Sequence, residues 1–204
     1  MGKIIVFEGI DGAGKSSAIT SLHTKLKSVG KSSIILPAPT KEFTGTCCRE
    51  ALSKGCDSTT VFYLMMADRT IHNKQIVECK EKYDYVLVDR YFLSTLAYQY
   101  DLVEKLFYFD IVIGNAVFVD KLVYLDMDSE EAVKRITRRG EKTISFETLD
   151  SLRKIWCNYC RLLEQDESVS SWKIHNLIGQ IIKIEVDCES MEEVGAEVFE
   201  SVVK

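Results

Sequence analysis

The chain has 204 residues, of which 46% are hydrophobic and 28% charged. This length and composition predict one globular domain spanning residues 1–204, and they exclude a disordered or fibrous protein. The 26 basic and 31 acidic residues give a net charge of −5, which argues against broad binding to nucleic acid or to an anionic membrane surface.

The opening stretch MGKIIVFEG is apolar for only a few residues before Glu8. It therefore predicts neither a secretory signal nor a membrane-spanning helix. The seven cysteines are an odd number, which favours a reducing compartment, the cytoplasm or the nucleus, over a disulfide framework.

Apolar strand-like runs alternate with helical spacings along the whole chain. The predicted strands are Lys3 to Phe7, SSIILP ending at Pro37, YDYVLVD ending at Asp89, KLVYLD, and QIIKIEVD. The predicted helices run from the turn after Phe7 to Val29, over Asp57–Lys82, over Leu93–Val119 with uncertain breaks, and after Ser129, Phe146 and Ser190.

Two serines are predicted to begin helices. Ser129 precedes Glu130 and Glu131, whose charges suit a helix start, and Ser190 with Glu193 forms a capping box. Alternating strands and helices predict a three-layer α/β fold with a five-stranded, mainly parallel sheet and helices on both faces. Ligands of such sheets bind beyond the carboxyl ends of the strands.

The first of these strand ends carries a phosphate-binding motif. Residues 9–16 read GIDGAGKS and satisfy G-x-x-x-x-G-K-[ST] between a strand and a helix. Lys15 is predicted to reach the β- and γ-phosphates of a nucleotide, and the Ser16 hydroxyl to ligate Mg²⁺. The remaining predicted contacts of the nucleotide in this turn are Gly9, Asp11, Gly12, Ala13, Gly14 and Ser17.

The motif alone does not separate a kinase from other nucleotide hydrolases. Guanine-specific switches carry an N-K-x-D motif, but here Asn73-Lys74 is followed by Gln75-Ile76 within a predicted helix. A GTPase is therefore disfavoured. The choice that remains depends on whether a phosphate acceptor is held beside the donor.

A second polar strand end suggests such an acceptor site. In VDRYFLSTLAYQ, Asp89 ends an apolar strand, where an acid could orient a metal or water, and Arg90 could hold a second phosphate with two parallel hydrogen bonds. The alternative interpretation of Asp89-Arg90 is a surface ion pair.

Five segments together resemble the thymidylate kinase family over nearly the whole chain. They are FEGIDGAGKSS, ADR at 67–69, DRYFLSTLAYQ, RITRRGE and EVDCESMEEV. The resemblance implies an enzyme that transfers the γ-phosphoryl group of ATP to dTMP with Mg²⁺, commonly as a homodimer.

The resemblance also implies roles for individual residues. Asp11 and Arg90 would handle the acceptor phosphate, and Arg69 would reach a thymine carbonyl, which favours a keto base over cytosine. In the same acceptor site, Thr95 would touch the base edge and Tyr98 would lie under the sugar. Met65 and Ser94 complete the predicted acceptor contacts, and Asp89 joins Ser16 at the metal.

RITRRGEK resembles the family's lid, which would cover about residues 137–146. Since Ala13 brings no positive charge to the turn, the resemblance assigns that charge to Arg138, Arg139 and Lys142. For the adenine, Arg135 and the loop after Val186, with Cys188, are the expected contacts.

Two positions depart from the family pattern in the acceptor site. Pro39 stands where an arginine usually reaches the acceptor phosphate, leaving Lys41 as a substitute, and Met65 replaces a phenylalanine that stacks on thymine. Base preference is therefore less firmly predicted than reaction type.

Two other functions stay open at this point. A deoxynucleoside kinase would share the phosphate turn and the Asp-Arg pair, but it usually has an acid directly after the second strand, where this chain has none after Leu36. A nucleotide-binding regulatory module without turnover would not need an intact Lys15, Ser16, Asp89 and Arg90.

Overall fold

The computed structural model describes residues 1–103, 106–138, 147–165, 168–186 and 190–204. The strands are β1 (Lys3–Glu8), β2 (Ser33–Pro37), β3 (Tyr85–Asp89), β4 (Val119–Asp126) and β5 (Ile178–Glu185). The helices are α1 (Lys15–Ser28), α2 (Phe43–Ser53), α3 (Ser58–Lys80), α4 (Phe92–Tyr98), α5 (Tyr100–Val103), α6 (Leu106–Gly114), α7 (Ser129–Arg138), α8 (Leu149–Leu163), α9 (Val169–His175) and α10 (Met191–Val203).

The five strands in the described part of the chain form one sheet in the order β2-β3-β1-β4-β5, and each neighbouring pair is parallel. The runs Ile4–Phe7, Val86–Val88 and Leu122–Leu125 are buried, as expected for strands covered on both faces. Helices surround the sheet, with α1 packing on α10 and α4 on α8. The predicted α/β fold is confirmed, and its sheet is wholly rather than mainly parallel.

The predicted elements match the structure with local differences. The long helix α3 begins after Asp57, whose carboxylate accepts hydrogen bonds from the Thr59 and Thr60 amides. The helical region predicted over Leu93–Val119 contains α4, α5 and α6. The sequence patterns did not predict α2 or α9. None of the described helices is long and apolar enough to cross a lipid bilayer.

One of the two predicted helix caps is wrong. Asp128, not Ser129, accepts hydrogen bonds from the amides of Glu130 and Glu131, so Ser129 is the first residue of α7. An Asp and a Ser in succession are both good caps, and the backbone decides which side chain reaches the free amides. The capping box of Ser190 and Glu193 is confirmed.

The strand register brings three carboxyl ends together. Phe7 of β1 and Pro37 of β2 both lie opposite Asp89 of β3. The Arg90 amide donates to the Phe7 carbonyl at 3.0 Å, and the Ala38 amide donates to the Asp89 carbonyl at 2.9 Å. The loops after β1, β2 and β3 therefore meet at one edge of the sheet.

Candidate active site

The turn after β1 has a backbone that only glycine adopts easily. Gly9 and Gly12 have φ angles of 140° and 87°. A Cβ atom at Gly9 would lie 2.5 Å from the Leu125 carbonyl oxygen, and one at Gly12 would lie 2.7 Å from that of Ala132. The two glycines thus allow the turn to pack closely between β4 and α7 and lead into α1.

Lys15 begins α1 and its side chain folds back under the turn. Its ammonium group donates to the carbonyls of Gly9 at 3.0 Å and Ile10 at 2.7 Å. Burial, together with the positive charge of Arg90, lowers the pKa of Lys15 to about 8. The only long cation in the turn is therefore held at its centre, within reach of a bound phosphate.

Ser16 in the first turn of α1 and Asp89 at the end of β3 lie together, and these are the two residues predicted to hold a metal. The Ser16 hydroxyl donates to the Asp89 carboxylate at 3.2 Å. A hydroxyl and a carboxylate are hard oxygen donors that suit Mg²⁺, which takes its other ligands from phosphates and water. Within the described ranges no group of three or more acidic, histidine or cysteine side chains could hold a metal by itself.

Around this pair lies a polar cavity of about 140 Å³, which we call the phosphate cavity. It is lined by Asp11, Gly12, Gly14, Lys15, Ser16, Ser17, Ala38, Asp89 and Arg90. All but Ala38 were predicted to contact ATP, the metal or the acceptor. Gly9 and the buried Ala13, the other two predicted ATP contacts in the turn, are not in this lining.

Arg90 crosses from β3 to the phosphate turn. Its guanidinium donates to the Asp11 carboxylate at 2.5 Å, to the Gly9 carbonyl at 3.1 Å and to the Ser94 hydroxyl at 3.2 Å. Arg90 also has a φ angle of 69°, an uncommon conformation for a residue with a side chain. These contacts exclude the alternative of an Asp89-Arg90 surface ion pair, because the partner of Arg90 is Asp11.

A second, mostly apolar cavity of about 220 Å³ adjoins the first, and we call it the acceptor cavity. It is lined by Asp11, Ala38, Pro39, Leu52, Val61, Met65, Arg69, Arg90, Ser94, Thr95, Tyr98 and Gln99. All seven residues predicted to bind the acceptor are in this lining. An apolar pocket with few polar groups is typical of a small-molecule site.

Arg69 lies buried at the base of the acceptor cavity. Its guanidinium donates to the Tyr91 carbonyl at 2.9 Å and to the Thr95 hydroxyl at 3.3 Å, and it lies 3.3 Å from Nδ1 of His72. It also lies over the Tyr91 ring, 4.5 Å from the ring centre. These partners fix the plane of the guanidinium, so that its direction is set before any ligand binds.

Tyr98 lines the acceptor cavity and contacts Asp11 and Arg90, which line both cavities. Its hydroxyl donates to Asp11 at 2.9 Å, and its ring lies 5.0 Å below the guanidinium carbon of Arg90. Tyr98 thus packs against the core and also contacts two polar side chains of the site.

Both departures from the family pattern lie in the acceptor cavity. Met65 and Pro39 are half-buried and line it. Lys41, the expected substitute for an arginine, is exposed and is not in the lining of either cavity. Arg49, which the sequence reasoning passed over, instead donates to the carbonyls of Pro39 and Thr40 and so supports this loop.

The predicted adenine contacts are partly described. The Arg135 guanidinium donates to the Val186 carbonyl at 3.1 Å, so that α7 and the end of β5 lie side by side. Arg138 is exposed at the end of α7. Arg139 and Cys188, and most of the predicted lid at 137–146, lie outside the described residues.

Two further residues of the site were missed by the sequence reasoning. Gln99 follows Tyr98 in the AYQ of the quoted motif, and its side-chain oxygen is buried without a hydrogen-bond donor among the described residues. Glu8, directly before Gly9, is fully buried beside the site. The sequence does indicate a role for Glu8, because a charged residue at the end of a buried apolar strand must have partners in the interior.

Comparisons with known proteins show which family the chain belongs to. The family model described as Thymidylate kinase matches residues 7–183. A thymidylate kinase of Leptospira borgpetersenii is 36% identical over 167 residues, covering 79% of this chain and 82% of the relative. A probable thymidylate kinase of Methanococcus aeolicus is 30% identical over 204 residues, covering 100% of this chain and 97% of the relative.

A solved thymidylate kinase structure from Candida albicans matches with a TM-score of 0.78 and 21% identity, covering 99% of this chain and 91% of the other. At that identity the match establishes the fold. The family model and the sequence relatives establish the family as well, because they match most of the chain, and the model includes the phosphate turn. The chain is a member of the thymidylate kinase family.

Proposed function

We propose that the two cavities perform the reaction of this family, the transfer of the γ-phosphoryl group of ATP to dTMP, with ATP in the phosphate cavity and dTMP in the acceptor cavity. The observation that carries this assignment is that the two cavities share Asp11, Ala38 and Arg90. Because the cavities adjoin at these shared residues, a donor phosphate on the turn and an acceptor phosphate at Arg90 would lie next to each other. Phosphoryl transfer requires this arrangement.

On the donor side, the turn and Lys15 bind the phosphates of ATP. Ser16 and Asp89 would hold Mg²⁺, which when bound supplies positive charge to the phosphate oxygens. Lys15 exchanges its present carbonyl partners for phosphate oxygens and stabilises the charge that develops during transfer.

On the acceptor side, Arg90 binds the phosphate of dTMP and Arg69 donates to a thymine carbonyl. Met65 covers the face of the base, and Thr95 lies at its edge. Tyr98, held by Asp11, lies under the sugar and disfavours a 2′-hydroxyl. An arginine donor at the base repels the amino group of cytosine, which explains a preference for a keto pyrimidine.

The rest of the functional proposal concerns the whole molecule. The chain acts as one domain, and the lid closes over ATP with Arg138 and Arg139, while Arg135 and the loop containing Cys188 contact the adenine. We place the enzyme in the cytoplasm, with the nucleus as the alternative, because the six cysteines of the described residues are all free. Nucleic acid and membranes are not proposed partners.

We further propose that the enzyme works as a homodimer. Tyr63 of α3 and Phe107 of α6 are 52% and 65% exposed, and both rings contact Tyr108. Exposed aromatic groups of this kind favour a protein interface, for which a second copy is the proposed occupant. A single species of monomer mass in light scattering at micromolar concentration would contradict this.

The reaction is tested by measuring ADP formation from ATP and Mg²⁺ with a panel of acceptors. We expect rapid ADP formation with dTMP, slower formation with dUMP, and little with dCMP, dAMP or dGMP. Phosphorylation of thymidine instead of dTMP would indicate a deoxynucleoside kinase. ADP formation that is indifferent to dTMP would indicate a regulatory nucleotide-binding module.

A further inference from the structure

A single buried carboxylate connects three elements behind the acceptor cavity. Glu8, at the end of β1, has no exposed surface and lines neither cavity. It accepts hydrogen bonds from the amides of Tyr91 at 2.8 Å and Ser94 at 3.1 Å, from the Ser94 hydroxyl at 2.5 Å, and from the Tyr159 hydroxyl at 2.9 Å. Glu8 therefore joins β1 to α4 and to α8.

Two of these bonds supply the missing cap of α4. Tyr91 precedes this helix and provides no side-chain cap. One oxygen of Glu8 instead accepts from both the Tyr91 and Ser94 amides, which are two of the donors that a helix start leaves free. The helix that presents Thr95 and Tyr98 to the acceptor is thus capped by a residue from a different strand.

The same network reaches the guanidinium of Arg90. The Ser94 hydroxyl donates to Glu8 and accepts from Arg90 at 3.2 Å. The Tyr159 hydroxyl lies 2.9 Å from that of Ser94, and both hydroxyls donate to the same oxygen of Glu8. The Arg90 backbone has a φ angle of 69°, an unfavourable conformation that persists only where the surrounding contacts determine it.

The buried acid also has opposite charges nearby. Glu8 interacts electrostatically with Lys15, Arg69 and Arg90. A buried charge with such neighbours and four hydrogen bonds costs much less than an isolated one. Breaking the network by removing the carboxylate leaves several donors unpaired at once.

We propose that Glu8, held by Tyr159, is a positioning residue for the acceptor: it fixes the start of α4 and the guanidinium of Arg90 in the orientation that binds the dTMP phosphate, without touching either nucleotide. This inference rests on the proposed assignment of dTMP to the acceptor cavity. Through Glu8 and Ser94, Tyr159 of α8 would influence the acceptor phosphate, although neither Glu8 nor Tyr159 lines a cavity.

The test compares Tyr159→Phe, Glu8→Gln and Glu8→Leu with the control Trp156→Phe. Trp156 also lies on α8 and donates one hydrogen bond, at 2.7 Å, but its acceptor is Asp126 at the end of β4. For each protein, KM for dTMP, KM for ATP, kcat and melting temperature are measured.

We expect Tyr159→Phe to raise KM for dTMP about tenfold, the loss expected for one hydrogen bond to a charged group, and to leave KM for ATP within about twofold. Glu8→Gln keeps an oxygen for the two amides, so its KM for dTMP should rise less than that of Glu8→Leu, which keeps none. The Trp156→Phe control should leave both KM values unchanged while lowering the melting temperature to a similar extent.

Equal changes in the two KM values for Tyr159→Phe, or values that match the control, would overturn the proposal. If Glu8→Leu does not fold, the KM values of Tyr159→Phe still test the proposal. Failure of the underlying assignment would be visible separately, because the unmodified enzyme would then lack dTMP-dependent ADP formation.

Discussion

The guanidinium of Arg90 and the carboxylate of Asp11 are joined at 2.5 Å across the boundary between the phosphate and acceptor cavities. Burial by itself would raise the pKa of Asp11, but the positive charges of Arg90 and Lys15 outweigh it and lower that pKa to about 2. Asp11 is therefore ionised at neutral pH and holds Arg90 and Tyr98 together before the acceptor arrives.

Replacing Arg90 with alanine should weaken dTMP binding far more than ATP binding. The guanidinium offers charge-assisted hydrogen bonds to the acceptor phosphate, and losing them should cost about tenfold to a hundredfold in the dissociation constant of dTMP. Calorimetric titration with each nucleotide measures both. Arg135→Ala is the matched control, since it should weaken ATP and spare dTMP; equal losses for both nucleotides in Arg90→Ala would place Arg90 elsewhere.

Lys15→Ala should lower turnover by several orders of magnitude while the protein remains folded. The ammonium group lies at the centre of the turn, and a comparable positive charge on a transferred phosphoryl group is worth ~10³–10⁵ in rate. Single-turnover ADP formation measures the effect, and circular dichroism verifies the fold. Near-normal turnover in a folded variant would contradict the phosphate assignment.

Met65→Phe should change dTMP affinity by no more than about tenfold, equivalent to ~1.4 kcal/mol. Contact of sulfur with an aromatic ring and stacking of two rings have overlapping energies, ~0.3–1.5 and ~0.5–1.5 kcal/mol. Arg69→Ala should cost more and reduce discrimination against dCMP. Met65 lines the acceptor cavity. If it only filled the core, the larger phenylalanine would lower the melting temperature and leave dTMP binding unchanged, and this result would refute the stacking role.

Gln99→Leu should stabilise the ligand-free protein and weaken dTMP binding. The Gln99 side-chain oxygen is buried without a donor among the described residues, and an unsatisfied polar group of this kind costs about 1–3 kcal/mol. A ligand N–H reaching this oxygen would recover that cost. Melting temperatures with and without dTMP measure both effects; a variant that gains stability and binds dTMP as tightly as before would show that Gln99 does not contact the acceptor.

His72 should make the protein less stable as the pH falls below neutrality. Burial, followed by the charge of Arg69, lowers the pKa of His72 to about 3, so the folded protein keeps it neutral while the unfolded chain binds a proton below about pH 6.5. The free energy of unfolding should therefore decrease by up to ~1.4 kcal/mol for each pH unit below this value.

Urea unfolding at pH 7 and pH 5 checks this effect, with His72→Gln as the comparison. Between the two pH values the unmodified protein should lose about 2 kcal/mol more than the variant. Identical losses would mean that His72 accepts a proton in the folded state.

The sequence by itself determined those features whose parts lie close together in the chain. Gly9, Gly12, Lys15 and Ser16 fall within eight successive positions of one motif, and the alternation of apolar strands with amphipathic helices predicts the α/β fold. Helix α2 escaped prediction because its sequence, FTGTCCREALS, is rich in residues with low helix propensity. Packing on α3 stabilises it instead.

Only the tertiary structure decided which distant side chains meet. The bond from Ser16 to Asp89 joins residues 73 positions apart, and that from Tyr159 to Glu8 joins residues 151 apart. Such pairs depend on the strand order and register, which bring the ends of β1, β2 and β3 to one edge of the sheet. A hydrophobic period records which face of a strand is buried but not which strand lies beside it. The sequence therefore named Arg90 and Asp11 separately as acceptor residues, but it did not predict the ion pair between them.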